Sequence, residues 1–341
     1  MENHPARVLI IDTAWLGDVV FSTALVGATR QVWPEAEIHF LTAPRAQAIM
    51  TEHPQIHRLW VFDKHGAQRA MNAVLTLADE LNQVRFDVVL CAHPSLRSRL
   101  LCARLAAPVR VGYTGFGERW AFTHTAHNSL AIEPDHVERR LNLLRALVPV
   151  TITPPLRIGL NATERSWADD YLKQLDGTDQ PLLGLVPGSA RLTKQWGVEQ
   201  FIELARIWCK RTGGRTLAVL GPTEAPMRPH FEKSGQPIQV VESGLRQCAA
   251  LLQRCHSVVG NDTGVSFVAI AAGAPRVVVL YGSTQVNYRF PAPHRAIAAG
   301  VPCCLPRTGH GQARCKWTGD APWCMSQISQ EQVLQHILPG P

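Results

Sequence analysis

Two short segments carry the residue types that can hold a diphosphate. In Leu182–Trp196, LLGLVPGSARLTKQW, an apolar run enters a turn at Gly188 and Ser189 and continues to Lys194. In Gly260–Ala269, GNDTGVSFVA, a second apolar run ends at Asp262, Thr263 and Gly264. Small and hydroxyl residues after a strand gather backbone N–H groups at the strand end, a helix start adds its positive dipole end, and a lysine adds a point charge. Asp262 suits sugar hydroxyls. Taken singly, Lys194 also reads as a solvated loop lysine and Asp262 or Thr263 as a helix cap. Two such turns in one region make coincidence a poorer account. Glu224, in LGPTEAP at a third strand end, suits ribose hydroxyls or the first turn of a helix.

Near the N-terminus, IIDTAWLGDVVFSTAL offers only Gly17 where a dinucleotide site would want G-x-G-x-x-G, so a nicotinamide oxidoreductase is disfavoured. Asp18 stands in its place, at the start of a helical pattern, where a carboxylate stays anionic and serves either as a cap or as a general base. No H-E-x-x-H, D-x-D, G-x-S-x-G or P-loop pattern accompanies these turns, which sets aside serine hydrolases and P-loop enzymes. Nine cysteines fit reduced thiols, five of them (Cys91, Cys102, Cys209, Cys248, Cys255) as packing residues. Cys303, Cys304, Cys315 and Cys324 crowd one loop-like segment with His310, yet lack a C-x-x-C pair, so no metal site is assigned.

These residues need strands and helices to position them. RVLIID, EIHFLT, RLWVFD and FDVVLCA alternate with helical patterns over 18–31, 45–52, 67–81 and 96–105, and a further helical stretch spans 134–147. LLGLVPG, TLAVLG, PIQVVE, SVVGND and PRVVVLYG then alternate with patterns over 198–210, 224–234, 245–254 and 265–272. Short apolar strands separated by amphipathic helices predict parallel sheets covered on both faces. The proline-rich PVTITPPLRIGL reads as a linker. The expected organisation is two doubly wound α/β domains facing across a cleft, 1–150 and 156–325, with a closing helix and tail over 326–341.

The net charge is +7, and between Cys91 and Leu130 five arginines (Arg97, Arg99, Arg104, Arg110, Arg119) meet one acid, Glu118. That excess fits phosphorylated ligands or anionic lipid; no recognition motif supports nucleic acid. No long apolar run or signal-like start is visible, which predicts a cytoplasmic protein.

The segments LGDVVFSTAL, SLRSRLLCARLAAPVRVGYTGFGERWAFTH, VERRLNLL, PGSARLTKQWGVEQFIELA and NDTGVSFVAIAAGAPRVVVLYGST, in that order, resemble the ADP-heptose lipopolysaccharide heptosyltransferases of glycosyltransferase family 9. The resemblance implies a GT-B fold and an inverting, metal-independent transferase with no cofactor. It places the donor site in the C-terminal domain and the acceptor site in the N-terminal one. By matching motif it makes Asp18 the catalytic base, Lys194 the diphosphate contact and Asp262 the heptose contact. Thr263 and Gly264 become phosphate-facing backbone beside Ser189, and Glu224 the ribose contact. Val265, Ser266 and Phe267 depart from the family's usual residues after NDTG.

The function expected on these grounds is heptose transfer from ADP-heptose to a lipid-linked core oligosaccharide. Arg97 and Arg119 are expected to meet the acceptor, at the cytoplasmic face of the inner membrane. A protein acceptor, or a non-catalytic two-lobed nucleotide-sugar-binding protein, stays open as an alternative.

Overall fold

A computed structural model describes residues 5–115, 118–128, 135–175, 180–301 and 322–338. The chain divides into two compact units, Met1–Gly159 and Leu160–Pro341.

In the N-terminal unit the elements run β1 (Arg7–Asp12), α1 (Leu16–Val32), β2 (Glu37–Thr42), α2 (Pro44–Met50), β3 (Arg58–Val61), α3 (Asn72–Asn82), β4 (Val88–Cys91), α4 (Leu96–Arg104), β5 (Val109–Tyr113), α5 (Glu118–Ala121), β6 (His124–Ala126) and α6 (His136–Arg145). The sheet order is β3-β2-β1-β4-β5-β6, every pair parallel. β1 is buried from Val8 to Asp12, as a strand covered by helices on both faces must be. Helix α1 is buried without a break from Val19 to Thr29 because β1 and β2 lie on one side of it and α6 on another.

The C-terminal unit contains α7 (Ala162–Lys173), β7 (Leu182–Val186), α8 (Val198–Thr212), β8 (Arg215–Leu220), α9 (Arg228–Lys233), β9 (Ile238–Glu242), α10 (Leu245–Arg254), β10 (Ser257–Asn261), α11 (Gly264–Ala272), β11 (Val277–Tyr281), β12 (Arg295–Ala298), α12 (Trp323–Ser326) and α13 (Gln330–Ile337). Its order, β12-β11-β10-β7-β8-β9, again all parallel, repeats the first topology. Both are Rossmann orders, the α/β architecture that the sequence predicts. Leu185, Trp196, Phe201, Trp208, Val259 and Leu280 form its core, and Val333, Leu334 and Ile337 of α13 join it. Trp196 donates its indole N–H to the Ile328 carbonyl at 2.9 Å, fastening the end of the chain to the turn after β7.

The structure adds β5, α5, β6, β12 and α12, which the sequence expectation did not contain, and three further elements differ from it. α3 starts at Asn72, not near Ala67, because the Asp63 carboxylate accepts from the Gly66 and Ala67 amides and folds that stretch into a turn. The helix expected over 224–234 is a 3₁₀ turn, Pro222–Met227, followed by α9, since Pro226 has no N–H for an α-helical bond. Helix α7 escaped the periodicity reading although Asn161 and Glu164 form a full capping box. Arg246 and Arg254 bind Glu164 and Asp169 on it, with Arg254 Nε 2.7 Å from Asp169 Oδ1.

The connection 150–160 has no regular structure, and as far as Gly159 it belongs to the N-terminal unit. The Arg157 amide donates to Thr23 Oγ1 at 3.1 Å. A Cβ at Gly159 would lie 1.7 Å from the Glu52 carbonyl oxygen, and Glu52 itself holds a left-handed φ of 59°. Gly159→Ala is therefore expected to lift the connection off this loop and lower stability by about 1–3 kcal/mol, read from the urea midpoint; an unchanged midpoint would show that the contact yields freely.

Candidate active site

In an open parallel sheet, ligands bind beyond the strand carboxyl ends where the order reverses. Those points lie between β1 and β4 and between β7 and β10, and of the residues singled out from sequence Asp18 follows β1, Ser189 and Lys194 follow β7, and Asp262, Thr263 and Gly264 follow β10.

After β1, Asp18 occupies the third residue of α1. Trp15 is the cap residue and makes no side-chain cap bond, so Asp18 does not serve as the cap. Its Oδ1 meets Arg140 Nη2 at 3.3 Å and His136 Nδ1 at 3.5 Å, both from the first turns of α6. Oδ2 has no partner among the described residues. Burial raises the carboxyl's pKa, but the His136 contact and the Arg140 charge outweigh it and hold the acid well below the usual carboxylate range. Arg140 is almost fully buried and donates Nε to Ser22 Oγ at 2.8 Å and Nη1 to the His136 carbonyl at 2.9 Å. Its Nη2 also lies 3.4 Å from Asp12 Oδ2, which accepts the Ser22 hydroxyl at 2.6 Å. Burial opposes the Arg140 charge, yet Asp12 and Asp18 raise its pKa above the ordinary guanidinium value. Across the switch point, Thr13 Oγ1 lies 2.9 Å from His93 Nδ1 and accepts Lys64 Nζ at 2.9 Å.

In the C-terminal unit, Lys194 ends a 3₁₀ turn after β7 and places Nζ 2.6 Å from Asp262 Oδ2 after β10. It is not a solvated loop lysine. Thr284 Oγ1 donates to the same Asp262 oxygen at 2.6 Å, and Oδ1 has no partner among the described residues. Asn261, fully buried, accepts the Trp196 amide at 3.0 Å and donates to the Pro187 carbonyl at 2.6 Å, which ties the two turns together. Gly260 permits this approach: a Cβ there would sit 2.3 Å from Ser266 Oγ and 2.8 Å from Val186 Cβ. Thr263 is the α11 cap residue without a side-chain cap bond, and Gly264 opens the helix, whose first amides have no helical carbonyl four residues back to bond. Ser189 is buried; Gln195 Nε2 donates to its carbonyl at 2.9 Å. Glu224 accepts from the Gly221 amide at 3.1 Å and the Thr223 hydroxyl at 2.8 Å, and lies against Gly188, where a Cβ would come within 2.6 Å of it. It thus acts here as an acid at a helix start while touching the β7 turn.

The arginine excess divides. Arg110 binds the Ala107 and Ala121 carbonyls and Arg99 is buried beside Phe122, so both are structural. Arg97 binds the carbonyls of Lys64 and Arg69, and Arg119 is exposed on α5 with no side-chain partner among the described residues. Cys324 is a buried thiol in the core, while Cys303, Cys304, His310 and Cys315 lie outside the described residues. Among the described residues, Glu37, His39 and His57 form the one group spaced to hold a metal. It lies at the opposite, amino end of the first sheet, and Trp60 Nε1 donates to His39 Nδ1 at 3.1 Å. That bond leaves the hydrogen on Nε2, the nitrogen facing Glu37, which cannot then ligate.

Sequence reasoning passed over Asp12, Ser22, His136 and Arg140. Their signal was present as i, i+4 pairs, Asp18 with Ser22 and His136 with Arg140, each aligned on one helix face.

Two units of Rossmann order, each with its polar cluster at the switch point, have the architecture of a GT-B glycosyltransferase. The family described as glycosyltransferase family 9 (heptosyltransferase) matches residues 74–308, and the chain belongs to it. It is 25% identical over 316 residues to a lipooligosaccharide heptosyltransferase 2 of Haemophilus ducreyi, covering 85% of this chain and 87% of that protein. It is 22% identical to the lipopolysaccharide heptosyltransferase 2 of Escherichia coli, covering 85% and 86%. Among solved structures, a family 9 glycosyltransferase from Veillonella parvula superposes with a TM-score of 0.82 at 25% identity, covering 98% of this chain and 97% of that one. The E. coli heptosyltransferase WaaC with ADP-2-deoxy-2-fluoro heptose superposes with a TM-score of 0.68 at 20% identity, covering 97% and 98%.

Because the Asp18 carboxyl titrates lower folded than unfolded, its contribution to stability is complete above the unfolded value and is lost as pH falls through the folded one. The stability difference between wild type and Asp18→Asn should be level from about pH 5 to 7 and move against the wild type below about pH 4, read from urea midpoints. A difference that stays level to the lowest pH at which the protein folds would remove the ion pairing of Asp18.

Proposed function

We propose that this enzyme is an inverting heptosyltransferase that moves heptose from ADP-heptose to a lipid-linked inner-core sugar of lipopolysaccharide, at the cytoplasmic face of the membrane. Family membership and the names of the curated relatives support the sugar and the pathway class. The observation that carries the chemistry is the free oxygen on each of two anchored carboxylates, Asp18 Oδ2 and Asp262 Oδ1.

Asp18 is held ionised by Arg140 and His136, with Oδ2 available to accept the proton of an acceptor hydroxyl. The hydroxyl oxygen then forms its bond to the anomeric carbon on the face opposite the diphosphate, and ADP leaves with the electron pair of the broken C–O bond. The pairing lowers the basicity of Asp18, so proton transfer is completed late, as the attacking oxygen becomes acidic. Growing charge on the diphosphate is met by Lys194 and by the amides around Ser189, Thr263 and Gly264. Asp262 Oδ1 accepts from heptose hydroxyls. Glu224 retains lone pairs for ribose hydroxyls beside its two present bonds. Arg97 and Arg119 serve the phosphates of the acceptor. Lysine and amide donors take the place that a divalent ion fills in other nucleotide-sugar enzymes, and the reaction is metal-independent.

Asp18→Asn should lower transfer by about 100- to 10,000-fold while ADP affinity holds, because a general base acts only in the transition state. Lys194→Ala should weaken ADP by about tenfold or more, since it removes a charged hydrogen bond from ground and transition states alike. Calorimetry with ADP, with mass spectrometry of products from ADP-heptose and defined core acceptors, reads both. An Asp18→Asn enzyme retaining more than about a tenth of the rate would return that residue to a structural part. In a separate assay, activity should persist after EDTA treatment. Loss in a still-folded protein, restored by a divalent ion, would overturn metal independence.

A further inference from the structure

Beside Arg97, which the proposed reaction gives to the acceptor's phosphates, the N-terminal unit carries a surface that the transfer chemistry does not otherwise use. Trp15 is 70% exposed, Leu96 58%, Met71 53% and Leu75 43%. Single exposed apolar residues are ordinary, but these stand together. Met71 and Leu96 line one cavity of about 530 Å³ with Lys64, Arg69 and Arg97. Leu75 lies one turn beyond Met71 on α3. Trp15 is covered on one face by Arg45, whose guanidinium carbon is 4.1 Å from the ring centroid, and the Arg45 charge acts on Lys64.

The cations of this surface lack carboxylate partners. Arg97 bonds only to the neutral carbonyls of Lys64 and Arg69, and Lys64 to Thr13 and His93. The Arg69 guanidinium has no partner among the described residues. The acid of the same stretch, Asp63, is turned onto the amides of Gly66 and Ala67. A small anion would satisfy the charges and leave the apolar side chains in water. An apolar partner would cover the side chains and leave the charges unmet. A bilayer with anionic headgroups meets both needs: acyl boundary for the apolar tips, phosphates for the cations and an interfacial place for the tryptophan.

We infer that this face docks the protein on an anionic bilayer, with Trp15, Met71, Leu75 and Leu96 seated at the acyl boundary and Arg45 and Arg69 on lipid phosphates, while Arg97 beside them is left to the acceptor. The inference deepens the lipid-linked-acceptor reading and rests on it for its purpose. Lys64 touches Thr13, at the head of the turn that carries Asp18, so docking holds the base beside the surface from which such an acceptor rises.

The test is sedimentation of the full-length protein with phosphatidylcholine vesicles, with and without phosphatidylglycerol, in the absence of any acceptor. Wild type should sediment with the anionic vesicles alone and be released by salt. Met71→Glu with Leu75→Glu should cut partitioning by about tenfold and Arg69→Ala by about fivefold. Circular dichroism and transfer to a lipid-free core oligosaccharide should be unchanged in the double variant. Leu96→Glu, at a more exposed position, gives the same reading if the double variant fails to fold. No binding, equal binding to neutral vesicles, or variants that bind like wild type would overturn the inference. Vesicle binding without any heptose transfer would instead overturn the proposed reaction and leave the docking face standing.

Discussion

The organising constraint is the divergence of the chain at the two switch points. A parallel sheet buried on both faces must send its crossover helices to opposite sides somewhere, and between β1 and β4, and again between β7 and β10, the departing loops leave strand carboxyl ends uncovered. Backbone polar groups there cannot be satisfied by a continuing ladder. Hydroxyl, amide and charged side chains fill the gap, and each unit gains a polar crevice in an otherwise apolar core.

The two crevices solve the same electrostatic problem in different ways. In the first, one buried guanidinium serves two carboxylates: Arg140 spans Asp12 and Asp18, with Ser22 bonded between it and Asp12. A buried cation is tolerable only when its donors are met, and here both carboxylates and the His136 carbonyl meet them. The arrangement fixes Asp18 through Oδ1 alone. In the second crevice, Lys194 and Thr284 converge on one oxygen of Asp262, while Asn261 clamps the neighbouring turn. Each carboxylate is oriented by one oxygen and presents the other.

Exposure follows a related division. The turns that hold the carboxylates are tied down by buried partners, whereas past the buried Lys64 the loop from His65 to Met71 rests mainly on bonds to Asp63 and Arg97, and the Arg69 and Met71 side chains are exposed. Rigidity at the chemical groups and an exposed, charged loop are what the proposed reaction and docking would each require.

Sequence alone determined the strand and helix alternation, because strands buried on both faces read as continuous apolar runs, and it marked Asp18, Lys194 and Asp262 because small-residue turns with a lone charge after such runs are rare. It also carried the motifs by which the family is recognised. It left undecided whether those charges are caps, solvated groups or anchored partners, since that depends on what stands opposite each across the fold. Arg140 comes to Asp18 over 122 residues, Asp262 to Lys194 over 68 and Thr284 to Asp262 over 22. No periodicity encodes such pairings. The arginine excess between Cys91 and Leu130 shows the same limit: composition counts Arg110 and Arg119 alike, and only the tertiary structure commits one guanidinium to buried carbonyls and leaves the other to solvent.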